Sequence, residues 1–161
     1  MSIHITSYNT DKKLVNEGIL LQVALRKVKR KDWDFILRLR NNKDYRQFFY
    51  SQKIISKKEH YNYLAKQKSN PNFMNWIITY GSKDAGYLRV LNNDVSIMIE
   101  KKYNNKGIGT TALQLLEKQA RKQGIKKLVG RVMIHNKSSK KIFLKNNYKL
   151  RMYWLEKDLL I

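Results

Sequence analysis

Residues 101–124 read "KKYNNKGIGTTALQLLEKQARKQG". Gly107 and Gly109 stand one residue apart, between a polar run and a helical pattern that begins at Thr110. A glycine in a helix interior costs roughly 1 kcal/mol against alanine. At a helix entry that cost is small, and glycine lets the backbone approach a ligand closely. The first N–H groups of a helix lack partners and attract phosphate. The polar loop therefore reads as a phosphate cradle formed by Asn104, Asn105, Lys106, Gly107, Ile108, Gly109 and Thr110.

Two familiar nucleotide motifs do not account for it. The G-x-x-x-x-G-K-[ST] pattern is absent, and G-x-G-x-x-G fails because position 112 is Ala112. The stretch before the loop, "DVSIMIE" (94–100), alternates as a strand does. Val95, Ile97 and Ile99 share one face, expected to be core. Asp94, Ser96, Met98 and Glu100 share the other.

Working outward, "ILLQVALRKV" (19–28) reads as a strand and "RKDWDFILRLRNN" (30–42) as a helix with Asp32 as N-cap. "ISKKEHYNYLAKQKSN" (55–70) opens with Ser56 and Glu59 at capping-box spacing and ends at Asn70-Pro71. Residues 73–81 and 84–91 read as strands, and Asn92-Asn93 as a hairpin turn into 94–100. Gly124 is the expected helix stop. A strand at 125–134, a helix at 136–147 and terminal strand material in "YKLRMYWLEKDL" complete the pattern. Residues 1–20 read as an arm or an extra strand, and residues 21–161 as a single domain. The order predicts a mixed α/β or α+β domain around one sheet.

Composition narrows the function. The 161 residues carry 34 Lys and Arg against 12 Asp and Glu, a net charge of +22. That favours anionic partners such as nucleic acid, phosphorylated cofactors or nucleotide-linked substrates. The lysines are spread along the chain with no clustered basic helix, which disfavours nucleic acid as the main partner while the charge leaves it open. Cysteine is absent, so disulfides, thiol nucleophiles and cysteine–zinc sites are excluded. His4, His60 and His135 are scattered, so no metal is expected. No apolar run reaches the roughly 18 residues of a membrane span, and no signal pattern opens the chain; a cytoplasmic protein is expected.

The loop resembles the acetyl-CoA-binding core of the GNAT superfamily of N-acyltransferases. That family carries Gln/Arg-x-x-Gly-x-Gly/Ala at the start of its third main helix, matched here by Gly107 and Gly109 with Asn104 in the first position. A second family element follows about thirty residues on, as Asn136, Ser139, Phe143 and Asn147-Tyr148. The resemblance covers about residues 20–155. It implies a GNAT-like α+β fold: a central, mostly antiparallel, splayed sheet flanked by about four helices. It implies acetyl-CoA as co-substrate, held through the backbone near Met98 and Ile99, by residues 104–110, and by Asn136, Ser139 and Phe143. It further implies direct attack by a primary amine in a ternary complex.

For the general base the resemblance points to Asp94 or Glu100, with Glu59 and His60 on the second helix as another route. The family's usual acid is a tyrosine where this chain has Phe143, so the thiolate leaves unaided or Tyr103 or Tyr148 supplies the proton. "LRLRNNKDYRQFF" and "IISKKEHYNYL" are similar to the subgroup that acetylates nucleotide-linked amino-sugars, as in the pseudaminic acid pathway. Leu39-Arg40-Asn41 and Lys58-Glu59-His60 carry that similarity, which makes Arg40, Asn41 and Arg46 the expected acceptor contacts. The partner expected beside acetyl-CoA is an anionic, amine-bearing small molecule; a homodimer is left open. The rival readings are a protein N-terminal or ribosomal-protein acetyltransferase and a non-catalytic basic nucleic-acid-binding module.

Overall fold

A computed structural model describes residue 18 and residues 22–159. The arm or extra strand expected at 1–20 falls almost wholly outside the described residues. Five strands form one sheet: β1 (Val23–Lys27), β2 (Phe73–Tyr80), β3 (Lys83–Leu91), β4 (Asp94–Ile99) and β5 (Val129–Gly130), side by side in that order. The first four pair antiparallel, and β5 joins β4 in parallel. The helices are α1 (Trp33–Asn41), the single turn α2 (Lys43–Arg46), α3 (Lys57–Gln67), α4 (Ile108–Lys122) and α5 (Lys137–Lys145).

Period-2 alternation sends the strands' side chains to two cores. Val23, Trp76, Ile78, Leu88, Val90 and Val95 meet the 108–112–116 stripe of α4 and Phe143. Ile77, Tyr87 and Met98 meet Trp33, Ile36 and Leu39 of α1 and Leu64 of α3. Both faces of β4 are thus packed. The polar face expected for Asp94, Ser96, Met98 and Glu100 is core at Met98, and Glu100 lies beyond the strand end.

Local signals explain most boundaries. Asn92 and Asn93 take positive φ (49° and 65°), as a tight hairpin requires. Ser56 and Glu59 make both capping-box bonds, at 3.2 and 2.8 Å. Gly124 ends its helix at φ +72°.

Four expectations change. Asp32 does not cap α1; its carboxylate accepts from Arg26 (2.7 and 2.9 Å) and from the Lys29 N–H (2.7 Å), because a buried carboxylate needs a cation more than a helix end needs a cap. Helix α4 starts at Ile108, two residues early, with Gly107 as its N-cap. The strand at 125–134 shrinks to two paired residues. Residues 148–159 join no strand.

Candidate functional site

β4 and β5 hydrogen-bond only at Asp94–Val129 and Val95–Gly130. Beyond Val95 the two chains part, and among the described residues no strand covers that edge of β4. Successive residues of a strand direct their backbone groups to opposite neighbours. Glu100 N–H bonds Ala85 and the Met98 carbonyl lies against Gly86, both on the β3 side. Ile97 and Ile99 therefore turn theirs toward the opening. Met98, named beside Ile99 from the sequence, instead spends its backbone on β3 and its side chain on the α1 core.

The opening leads to the glycine loop. Asn105 (φ 61°) and Gly107 (φ 75°) both take the left-handed conformation, a region glycine enters without penalty. Gly109 has a different reason: a Cβ there would press to 3.3 Å from Ile142, so the missing side chain lets α5 pack against α4. The N–H groups of Asn105, Lys106, Gly107, Ile108, Gly109 and Thr110 have no hydrogen-bond partner among the described residues. Asn104 to Gly107 are exposed. Lys102 and Lys106 lie over the Tyr103 ring beside the loop, at 5.1 and 5.6 Å. Fixed amide dipoles, a helix N-terminus and two ammonium groups suit a diphosphate.

On the far side of the opening, Asn136 caps α5 by accepting from the Ser139 N–H at 3.0 Å. Phe143 is core: its ring lies against Gly130, where an added Cβ would come within 2.7–2.9 Å. Tyr148 packs edge-on to it at 4.8 Å, and burial pushes the Tyr148 phenol up to about 12. The segment 44–50 bridges the mouth. Tyr45 Oη donates to the Ile99 carbonyl at 2.7 Å, while Gln47 offers its carbonyl to His135 Nε2 at 3.2 Å.

The four carboxylate and imidazole candidates separate. Asp94 sits at the apex of the opening, one residue before the strands part. Its Oδ1 is buried without a partner. Burial pushes its carboxyl up, against the downward pull of Arg131 and Arg89. Glu100 is held differently: burial pushes it up, but Lys102 (2.9 Å) and Arg38 (3.3 Å) together keep it below the usual carboxylate range. A carboxylate so paired is a weak base. Glu59 is occupied as the capping-box residue, lowered by its bonds to Ser56. His60 is buried, its Nε2 at 3.0 Å from the Trp33 carbonyl, and burial lowers its pKa. It packs α3 against α1.

The acceptor contacts also divide. Asn41 uses both ends of its amide on the backbone of Ile55, at 2.8 and 2.9 Å, so it clamps the loop before α3. Arg40 donates Nη2 to the Ser51 carbonyl at 2.7 Å and stacks on Phe49 at 4.0 Å. Its Nη1 is buried without a partner. Burial and the nearby charges of Arg89 and Arg46 lower its pKa. Arg89 thus acts on both orphaned groups, Arg40 and Asp94. The sequence reading passed over Arg89 and Arg131. A charged residue in the middle of an otherwise apolar strand, as Arg89 is in "GYLRVL", was the available signal.

Comparison with known proteins agrees with this architecture. The family model described as "Acetyltransferase (GNAT) domain" matches residues 22–149. A domain from Methanocaldococcus jannaschii DSM 2661 is 27% identical over 80% of this chain and 88% of that one, with a TM-score of 0.72. Spermidine N-acetyltransferase from Vibrio cholerae, solved with CoA and spermine, is 17% identical over 88% and 89%, with a TM-score of 0.78. A ribosomal L7/L12 α-N-protein acetyltransferase, solved with coenzyme A, is 18% identical over 81% and 82%, with a TM-score of 0.70. The last two likenesses concern the fold.

The site and the sheet define an acyl-coenzyme A transferase. The chain belongs to the GNAT acetyltransferase family and is an acetyl-CoA-dependent N-acetyltransferase. The opened edge and the unpartnered amides at 105–110 fit that co-substrate. Among the described residues no group of three or more metal-ligating side chains converges, and no helix is long and apolar enough to cross a membrane.

Proposed function

We propose that the acceptor is an anionic small molecule bearing a primary amine, specifically a nucleotide-linked amino-sugar, and that Asp94 takes the proton from its ammonium group. One observation carries the reading. Asp94 Oδ1 and Arg40 Nη1 are the two buried side-chain atoms left without partners among the described residues, and Arg89 influences both. Buried polar atoms are almost always satisfied, so an orphaned acceptor and an orphaned donor argue for a missing ligand. A molecule with an ammonium for Asp94 and phosphates for the guanidiniums answers both needs. A polyamine would meet Arg40, Arg46, Arg89 and Arg131 and be repelled.

Acetyl-CoA supplies the acetyl group as a thioester. The amides of residues 105–110 hold its pyrophosphate, and the free backbone groups of Ile97 and Ile99 line its amide arm, with Tyr45 releasing the Ile99 carbonyl. Burial keeps the Asp94 carboxylate basic enough to accept a proton, directly or through one water. The freed amine nitrogen forms the new bond to the acetyl carbon as the carbon–sulfur bond breaks. A thiolate with a pKa near 8.5 leaves with little assistance. The nitrogen sheds its second proton on forming the amide, and that proton reaches the thiolate by way of the Tyr148 hydroxyl beside Phe143, which ends the step with a proton of its own.

The test is a thiol-release assay, clean here because the chain has no cysteine. UDP-4-amino-sugars, spermidine and acidic peptides with free N-termini are offered in parallel. Turnover on the UDP-sugars, with KM raised in Arg40→Gln, is the expected result. Turnover confined to peptides or spermidine overturns the assignment.

A further inference from the structure

The cations are spread along the sequence, but the fold gathers many of them on one layer. From Lys118 to Lys149 there are eleven lysines and arginines and no aspartate or glutamate, and all eleven are exposed. Arg121 pairs with Glu117 at 2.7 Å; the other ten have no ion-pair partner among the described residues. Elsewhere the cations are answered, as Lys57 is by Asp34, Arg38 by Glu100 and Lys53 by Glu59. A general excess of lysine accounts for the number of cations and not for the missing acids. The segment folds as the end of α4, β5 and α5. Ile142 of α5 lies against Gly109 of α4, and Glu117 bears on the Tyr148 hydroxyl, so the two helices run side by side in the same direction. Both cover the same face of the sheet.

Helix α5 carries the densest part. Lys137, Lys140, Lys141 and Lys145 line one shallow depression with Leu144, on the side of the helix away from Ile142 and Phe143. Lys137, Lys141 and Lys145 follow one another at i,i+4, where like charges weaken a helix. Lys137 also stands in the first turn, which holds no acid, and there a cation opposes the helix dipole. The helix thus keeps a stripe that works against its own stability. A local rule broken without compensation inside the fold marks a functional surface.

We propose that the outer face of α4 and α5 binds the phosphate backbone of nucleic acid, with Lys140, Lys141 and Lys145 at its centre. Charge complementarity selects the occupant. A duplex presents one negative charge per roughly 1.7 Å of its axis. Lys137 to Lys145 spans about 12 Å at 1.5 Å per residue, so the stripe meets about seven of those charges. A membrane surface is a poorer match, because a helix that lies in one needs an apolar face to bury. The outward face of α5 offers Leu144 alone, while Ile142 and Phe143 are spent on the core. Lysine is a flexible point charge, and no aromatic stands on that outward face. The contact therefore grips the backbone and reads no sequence. It is an addition to acetyl transfer and does not depend on the identity of the acceptor.

The test is fluorescence anisotropy of a short labelled duplex of mixed sequence, titrated with the full chain from low to high salt, with and without saturating acetyl-CoA. Binding is expected in both cases. With about six phosphates neutralised, the logarithm of the binding constant falls against the logarithm of salt with a slope of about −5. Lys140→Gln with Lys141→Gln and Lys145→Gln should cut that slope by about 3 and weaken binding about a hundredfold or more near 0.1 M salt. This variant should melt no lower than wild type, because it removes like-charge pairs from an exposed face. Lys29→Gln with Lys31→Gln and Lys83→Gln removes the same charge from exposed positions outside this face and should leave the slope nearly unchanged. No binding at low salt overturns the proposal, as does an equal loss in the two triple variants. So does release of the duplex by acetyl-CoA, or tighter retention by phosphatidylserine vesicles than by the duplex.

Discussion

Asp94→Asn separates chemistry from stability in opposite directions. The substitution keeps the shape of the side chain and removes its charge. Asp94 Oδ1 is buried with no partner, and an unsatisfied buried group costs about 1–3 kcal/mol. Solvent reaches part of the side chain and Arg89 and Arg131 offset part of the cost, so the lower end, about 1 kcal/mol, applies. For a domain of this size that is a rise in Tm of about 2–4 °C in the variant at pH 7. The sign follows from linkage. Burial raises the folded carboxyl above its ordinary 3.8, so the residue favours the fold most when protonated. That contribution is complete below 3.8 and is lost as pH rises through the folded value. The gap in Tm between variant and wild type should therefore close on acidification. Turnover moves the other way: loss of a general base costs about 10²–10⁴-fold in kcat, and the acid limb of the kcat/KM profile disappears with it. Differential scanning fluorimetry against pH and thiol release against pH measure the two effects. A variant that keeps wild-type turnover, or that melts lower than wild type at pH 7, refutes the reasoning.

Three further outcomes follow from the geometry. Gly107→Ala forces a side chain into φ 75° and should cost about 1–2 kcal/mol while weakening acetyl-CoA in calorimetry. Gly130→Ala places a Cβ within 2.9 Å of the Phe143 ring, an overpacking worth about 1–3 kcal/mol; Phe143→Leu in the same chain should recover part of it, a coupling that a double-mutant cycle reads. Asp32→Asn leaves Arg26 with Asp84 alone and should cost about 3 kcal/mol at neutral pH. The Arg26 bonds hold the Asp32 carboxyl below its ordinary 3.8, so its contribution is present above that value and lost as pH falls through the folded one. The stability gap between wild type and variant should vanish in strong acid.

What was legible in the sequence was local. The capping box at Ser56, the Asn92-Asn93 hairpin, the stop at Gly124 and the glycine loop each depend on a few neighbouring residues. What was not legible depends on distant partners. Asp32 has the spacing of an N-cap, but Arg26 and Asp84, 58 residues apart in the chain, draw it into an ion cluster. The strand signals at 125–134 and 148–159 are sound, yet a strand exists only where another edge meets it, and no spacing within the segment reports that. Asn41 was expected as an acceptor contact from the resemblance of Leu39-Arg40-Asn41 to the amino-sugar subgroup; the loop that its amide clamps, at Ile55, lies 14 residues away. Gly109 was read for close approach of the backbone to a ligand, and in the fold its missing Cβ makes room for Ile142.

The site itself reduces to what β4 does with its two faces and two edges. Its faces go to the two cores, Val95 to one and Met98 to the other, so the strand is fixed in place from both sides. One edge is committed to β3 along its length. The other is committed to β5 for two residues and then released. Asp94 stands where the commitment ends. A carboxylate one residue further along, in place of Val95, would point into the α4 core. At the apex, burial raises the Asp94 carboxyl against the downward pull of Arg131 and Arg89. The unpartnered amides of 105–110 stand past the strand's far end, so Asp94 and the glycine loop are held at opposite ends of one rigid strand. In the proposed reaction, positioning of that kind supplies much of the rate, and it comes from a sheet that stops pairing one residue after Asp94.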